Sequence, residues 1–218
     1  MPKLYALYGK MGSGKDYLAS LLIKHLPEKT QCVSFADVLK DEVEHLIVAK
    51  RDFGLEISEL SRKYDLSEES LHTIFDSVLP QDLTGVSAYK KTPQMRHLFQ
   101  FYGDVRRGEN PMYFIDKTFN RIETLLRNSV SVIITDVRFP NEYEACHEHG
   151  AVLIHLNIDR ETRHARLMAR DGFRPSAEAE GHISEIGLDN IDKFDDDIII
   201  TSDMSDDDIL SHILKGDT

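Results

Sequence analysis

Apolar residues in this chain fall into two rhythms, short unbroken runs and runs spaced three or four apart, and the two alternate. Lys3–Tyr8 (KLYALY) is an apolar and aromatic run stopped by Gly9, the form of a buried strand. Asp16–His25 follows with Leu18, Leu21, Leu22 and then Leu26 at helical spacing, closed by Pro27. Gln31–Phe35 (QCVSF) reads as a second strand and Asp37–Lys50 as an amphipathic helix. From Arg51 to about Tyr89 the pattern is polar and weakly helical, running into a loop, "LTGVSAYKKTP". Thr92 before Pro93 has the form of an N-cap with a first-turn proline and predicts a helix through Arg106. Asn110–Pro111 repeats the device and predicts another over Met112–Arg127. Ser131–Thr135 (SVIIT) is the clearest buried strand. Then come a helix over Pro140–His149 with Gly150 beyond it, a strand over Ala151–Ile158 and a helix over Asp159–Arg170. A fifth strand, Asp197–Thr201, and a helix over Ser205–Leu214 with acids in its first turn complete the pattern.

Strands alternating with helices predict an α/β fold whose parallel five-stranded sheet is covered on both faces. The helical stretch between the second and third strands is an insertion on one edge. There is no internal repeat and no low-complexity linker. The 218 residues suit one domain with a sizeable core, 1–218. No apolar stretch approaches the roughly 18–20 residues of a membrane span, and no basic leader precedes the first apolar run, so neither a membrane nor a signal peptide is expected. Cys32 and Cys146 sit in apolar-patterned segments without metal-type spacing, which predicts reduced thiols in the cytoplasm. The formal net charge of −12 disfavours nucleic acid as a partner. That charge is uneven: Asp189–Thr218 holds ten aspartates against two lysines, a solvated acidic surface.

The first glycine run carries chemistry. Gly9-Lys10-Met11-Gly12-Ser13-Gly14-Lys15 fits the G-x-x-x-x-G-K core of a phosphate-binding loop, and it lies between a predicted strand and a predicted helix. In such a loop backbone N–H groups converge on phosphate oxygens, the helix adds its positive end, and the lysine reaches the outer phosphates. Asp16 stands where serine or threonine usually ligates Mg²⁺. Its carboxylate suits the same hard ion, directly or through water. A first-turn acid favoured by the helix dipole is a compatible reading.

"SVIITDVRFPNE" puts Asp136 just past the apolar strand and Arg138 two residues on. At the carboxyl end of a strand a carboxylate can hold Mg²⁺ and an arginine can fork onto phosphate; a capping aspartate and a surface arginine are the plainer roles. Arg163, Arg166 and Arg170 lie within about 60° of arc on one helical face. Such a face is either a solvated basic surface or a lid over transferring phosphates. In the insertion, Lys40, Arg96, Gln100 and Arg106 are the candidates for a phosphate acceptor, since Gln can bond a base edge and Arg a monophosphate. Phe99, Phe101 and Tyr102 read as core.

Five segments, "GKMGSGKDYLA", "SFADVLK", "FQFYGDVRR…NPMYF", "ITDVRFPNE" and "HISEIGLDN…DDIIITSD", resemble bacteriophage deoxynucleoside monophosphate kinases. The same fold family includes animal phosphomevalonate kinase, whose loop also reads G-K-D. The resemblance spans most of the chain except about 51–89. It implies a P-loop kinase fold in three layers, with a helical acceptor-binding insertion over 37–128 and a short lid over 160–187. It implies transfer of the γ-phosphoryl group of ATP to a dNMP, with Mg²⁺, in a monomer or homodimer and in the host cytoplasm if the source is a phage. Carried over, residues Gly9 to Lys15 hold ATP phosphates, and Asp16 helps to place the metal. Arg138 clamps acceptor phosphate beside Glu142, Arg170 acts from the lid, and Glu185 lines the acceptor pocket. Two other functions stay open: a kinase of a small phosphorylated metabolite such as phosphomevalonate, and a regulatory module that binds nucleotide without transferring phosphate.

Overall fold

The computed structural model describes residues 2–53, 56–77, 93–172 and 174–214. The chain forms two compact units, Met1–Ser34 with Thr118–Thr218, and Phe35–Lys117.

The first unit is built on five parallel strands: β1 (Leu4–Tyr8), β2 (Thr30–Val33), β3 (Ser131–Val137), β4 (Val152–Leu156) and β5 (Ile198–Ile200). Their order is β2-β3-β1-β4-β5, with Tyr5 opposite Ile133 on one side and Val152 on the other. Alternation along the strands explains why they read as unbroken apolar runs. Tyr5, Leu7, Ile133 and Ile154 turn to one face, where they pack with Leu18 and Leu22 of α1 (Lys15–His25) and Ile213 of α11 (Asp206–Leu214). The opposite face is covered as well. There Tyr8 meets the ring of Tyr143, on α7 (Pro140–Glu148), edge-on at 5.3 Å. A sheet buried on both faces leaves no position for polar alternation.

The second unit is helical: α2 (Phe35–Phe53), α3 (Ile57–Tyr64), α4 (Glu68–Ser77), α5 (Pro93–Glu109) and the first turn of α6 (Tyr113–Arg127). Val43, Leu46, Leu60, Leu71, Ile74 and Leu98 are fully enclosed in one core. Tyr102 is also buried there, with Phe99 and Phe101 packed against it, as expected of core aromatics. The polar segment after Arg51 therefore holds two real helices. Single apolar residues, Leu60 on α3 and Leu71 and Ile74 on α4, anchor them, too few to give a strong period in sequence. The loop expected before Pro93 lies outside the described residues.

Three boundaries differ from expectation. Phe35 ends no strand; it opens α2, with Asp37 in the first turn to favour the helix start. Asp136 lies inside β3 instead of beyond it, because pairing with β1 continues to Val137 opposite Tyr8. The helical unit ends at Lys117 and not at 128: from Thr118 onward α6 belongs to the sheet unit, where Phe119 stacks on His149 at 3.9 Å. The remaining helices are α8 (Arg160–Asp171), α9 (Ala177–Glu180) and α10 (Ile183–Ile186). No helix among the described residues is long and apolar enough to cross a membrane. Cys32, exposed, and Cys146, buried, are not joined in a disulfide.

Candidate functional site

β1 ends at Tyr8 and α1 begins at Lys15, so residues 9–14 must turn the chain from sheet to helix in one short loop. Two glycines allow this. Gly9 has φ 144°, and a Cβ there would meet the Leu156 carbonyl at 2.7 Å; Gly12 has φ 79°, and its Cβ would meet the Arg163 carbonyl at 2.8 Å. The loop is thus pressed against β4 and α8, and only glycine fits both the angle and the space.

The loop's carbonyls are tied back. Arg163 donates to the Met11 carbonyl at 3.1 Å and Arg166 to that of Ser13 at 2.8 Å. Lys15 folds its ammonium under the loop, donating to the Gly9 carbonyl at 2.5 Å and to that of Lys10 at 3.2 Å. The amides of Gly12, Gly14, Lys15 and Asp16 have no hydrogen-bond acceptor among the described residues. Open N–H groups at the start of an eleven-residue helix, beside a lysine, form a receptor for an anion.

Charge converges on this loop. Burial draws the Lys15 ammonium down to about 8, and neighbouring Arg138 pushes the same way, while Glu185, Asp16 and Asp136 oppose them. Five of the residues singled out by sequence therefore share one electrostatic neighbourhood. Asp136 accepts a hydrogen bond from Ser34 at 2.5 Å. Asp16 is exposed on the first turn of α1, within electrostatic reach of Lys15 and Arg170. Arg138, half-exposed, pairs through Nη1 with Glu185 at 2.9 Å. The other oxygen of Glu185 accepts the Met11 N–H at 2.6 Å. Lys10 reaches Asp189 at 2.7 Å.

The donor set fits Mg²⁺. No group of three or more His, Cys, Asp or Glu side chains able to hold a metal occurs among the described residues. Magnesium needs no such cage: one or two carboxylates suffice when phosphate oxygens and water complete its shell. Asp16 and Asp136, both within electrostatic reach of Lys15, are the candidates for such a pair.

Several assignments change. Glu142 is buried, and its carboxylate accepts the backbone N–H groups of Arg138 at 2.9 Å and Phe139 at 3.2 Å. Through Oε2 it caps the start of α7 and holds the backbone of Arg138. Arg106 is also buried. It donates to the Asp65 carbonyl at 2.9 Å, to the Tyr64 carbonyl and to the Tyr102 hydroxyl at 3.2 Å. Its fork is consumed by the turn between α3 and α4, so it is a structural arginine. The arginine face of α8 is not a uniform lid either. Arg163 and Arg166 brace the loop, while Arg170, exposed, pairs with Asp171 at 2.6 Å. Lys40 pairs with Asp37 one turn away at 3.5 Å, and Gln100 is exposed on α5; both belong to the helical unit. The side chain of Arg96 lies outside the described part.

Two features were not read from the sequence. A cavity of about 370 Å³ opens beside Ser13 and Gly14, walled by Leu21, Ile158 and Ile200 and edged by Tyr17, Arg166 and Thr201. That size and lining suit a flat, largely apolar group. The available signal was "ITSD", which puts Thr201 and Ser202 at the carboxyl end of the last strand, where ligands gather in open sheets. The second feature is Glu180, which collects Arg160 at 2.5 Å and His164 at 2.7 Å. These hydrogen bonds, Arg160 first, hold its carboxyl down at about 2. Glu180 lies 20 residues from Arg160 and 16 from His164, so it offers no short spacing to notice.

No family model matches the chain, and no curated protein matches it. Among solved structures, the crystal structure of TT1252 from Thermus thermophilus resembles it over 100% of this chain and 98% of that one, with a TM-score of 0.51 and 17% identity. That likeness concerns the fold. With the sheet order and the glycine loop, the architecture is a three-layer α/β fold of the P-loop type.

Proposed function

We propose that this protein is an ATP-dependent deoxynucleoside monophosphate kinase of the bacteriophage type, transferring the γ-phosphoryl group of ATP to a dNMP to give ADP and a dNDP. The observation that carries the reading is the open amide cradle of Gly12, Gly14, Lys15 and Asp16 beside a half-exposed arginine, Arg138, at the ends of adjacent strands. The first group suits the outer phosphates of a nucleotide and the second a separate phosphate.

In the reaction a bond forms between the γ-phosphorus and an oxygen of the acceptor phosphate, and the bond from that phosphorus to the ADP oxygen breaks. The acceptor oxygen is already anionic, so no general base is required. The loop amides and Lys15 neutralise charge on the transferring group. Arg138 holds the acceptor's phosphate in line through the edges of its guanidinium not engaged by Glu185. Magnesium bound near Asp16 and Asp136 would supply further positive charge to the phosphates. The cavity beside Gly14 accommodates the nucleoside of the donor.

ADP release measured with ATP, Mg²⁺ and a panel of dNMPs, with phosphomevalonate alongside, tests the reading. Turnover with at least one dNMP is expected. Turnover with phosphomevalonate alone would move the acceptor to the small-metabolite class, and ATP binding with no transfer to any acceptor would favour a regulatory module.

A further inference from the structure

Glu185 has an unusual position for an acid in a site built to receive anions. It is nearly enclosed, at 6% side-chain exposure, and its two oxygens serve different parts of the molecule. Oε2 accepts the N–H of Met11, in the middle of the phosphate loop, at 2.6 Å; Oε1 accepts from Nη1 of Arg138, just past β3, at 2.9 Å. We infer that Glu185 is a positioning residue: one carboxylate spans the phosphate loop and Arg138 and fixes the distance between the donor cradle and the acceptor clamp. The inference rests on the phosphoryl-transfer reading above.

Four observations support it. A carboxylate with one oxygen on a backbone amide and the other on a guanidinium, and almost no exposure, has both oxygens engaged before any substrate arrives. Arg138 is the opposite case. At 37% exposure it gives only Nη1 to protein, to Glu185 and at 3.5 Å to Ser184. Nε and Nη2 have no hydrogen-bond partner among the described residues, and they form one edge of the fork that suits a phosphate.

Arg138 is also held at both ends by acids, since Glu142 takes its backbone N–H at 2.9 Å while Glu185 takes its guanidinium. A long side chain with about 2 kcal/mol of rotamer freedom is thereby ordered before any substrate arrives. Finally, the segment bearing Glu185 is itself seated against Arg138: a Cβ on Gly187 would meet the Arg138 carbonyl at 2.8 Å. The neighbouring link of the same segment to the loop, Lys10 to Asp189, is about 40% exposed on both sides and contributes at most about 1 kcal/mol. The enclosed link through Glu185 is the one that sets geometry.

In-line transfer is sensitive to such a distance, because a displacement of about 1 Å of a reacting group costs about 100-fold in rate. The test is a double-mutant cycle on the full-length protein. Phosphoryl transfer from ATP to the best dNMP is measured for wild type, Glu185→Gln, Arg138→Ala and the double variant, with circular dichroism to confirm folding. Gln keeps an oxygen for the Met11 N–H and loses the charge that holds Arg138. Expected results are a fall in kcat of about 100-fold for Glu185→Gln, ATP affinity little changed, and a double variant no slower than Arg138→Ala alone.

Multiplicative losses in the double variant, or a rise in acceptor KM at unchanged kcat for Glu185→Gln, would overturn the inference and return Glu185 to the substrate-contacting groups. If Glu185→Gln fails to fold, Glu185→Asp replaces it. Its shorter arm cannot span both partners, so a comparable loss of kcat is expected, and wild-type kcat would overturn the inference. Wild-type protein that transfers phosphate to no monophosphate defeats the parent reading, and this inference with it. Transfer by wild type with independent variant effects defeats the inference alone.

Discussion

The two compact units handle arginine in opposite ways. In the helical unit, Arg106 is buried, lies 4.8 Å from the ring centre of Tyr113, and spends its fork on two backbone carbonyls and a tyrosine hydroxyl. Nothing of it remains for a ligand. In the sheet unit, Arg163 is likewise spent, on the carbonyls of Ile158 and Met11, while Arg166 and Arg138 are each anchored through Nη1 and keep an open edge. An arginine near a predicted site is therefore informative only once its partners are known. Arginines that bind the fold's own carbonyls shape a site, and one anchored by a single nitrogen can act in it.

This contrast has measurable consequences. The largest concerns the cradle itself: Lys15→Ala should reduce turnover about 1000-fold in a protein that still folds, as read by steady-state ADP release and circular dichroism. Near-normal turnover would remove the loop from the chemistry. Next, Arg106→Met should destabilise the helical unit by about 2 kcal/mol, because it removes a buried donor from the part-buried Tyr64 and Asp65 carbonyls and from the Tyr102 hydroxyl. Urea denaturation measures this, and an unchanged midpoint would mean that Arg106 is not a structural group. Arg138→Ala is expected to leave the urea midpoint close to wild type, to lower kcat at least about 100-fold and to raise the KM for the acceptor about 100-fold, with a much smaller effect on the KM for ATP. Equal effects on both substrates would contradict its placement on the acceptor side.

The smallest effect is on acid stability. His155 stacks on Tyr8 at 4.5 Å, and its Nδ1 accepts from Lys193 at 3.2 Å. Burial, then the charge of Lys193, lowers its pKa from 6.5 to about 4. The folded protein therefore resists a proton that the unfolded chain takes up, so stability is lost as pH falls from about 6.5 towards about 4. His155→Phe, which keeps the stack, should flatten that part of a Tm-against-pH curve; an unchanged slope would show that another group carries it.

Much of the architecture could be read from the chain. All five strands and most of the helices fall where the apolar runs put them, because a sheet buried on both faces writes its strands as unbroken apolar segments. The helices α3 and α4 were obscured because few of their residues are buried. At the site, Lys15, Asp16, Asp136, Arg138 and Glu185 were legible and do converge. Their hydrogen-bond partners were not. Glu142 resembled a ligand and is a helix cap; Arg163 and Arg166 resembled a lid and are braces. Spacing places a side chain on a face of its helix, but which carbonyl or amide lies opposite depends on how distant segments pack. The cavity beside Gly14 was hidden for the same reason: its walls come from the glycine loop, α1, β4, α8, β5 and α11, which are far apart in the chain.

Calorimetric titration of ATP, with Mg²⁺ present, into wild-type protein and Lys15→Ala tests the amide cradle most directly. The cradle predicts saturable binding to wild type, weakened about 100-fold or more in the variant. Absence of binding to wild type, or equal affinity in the two proteins, would contradict it.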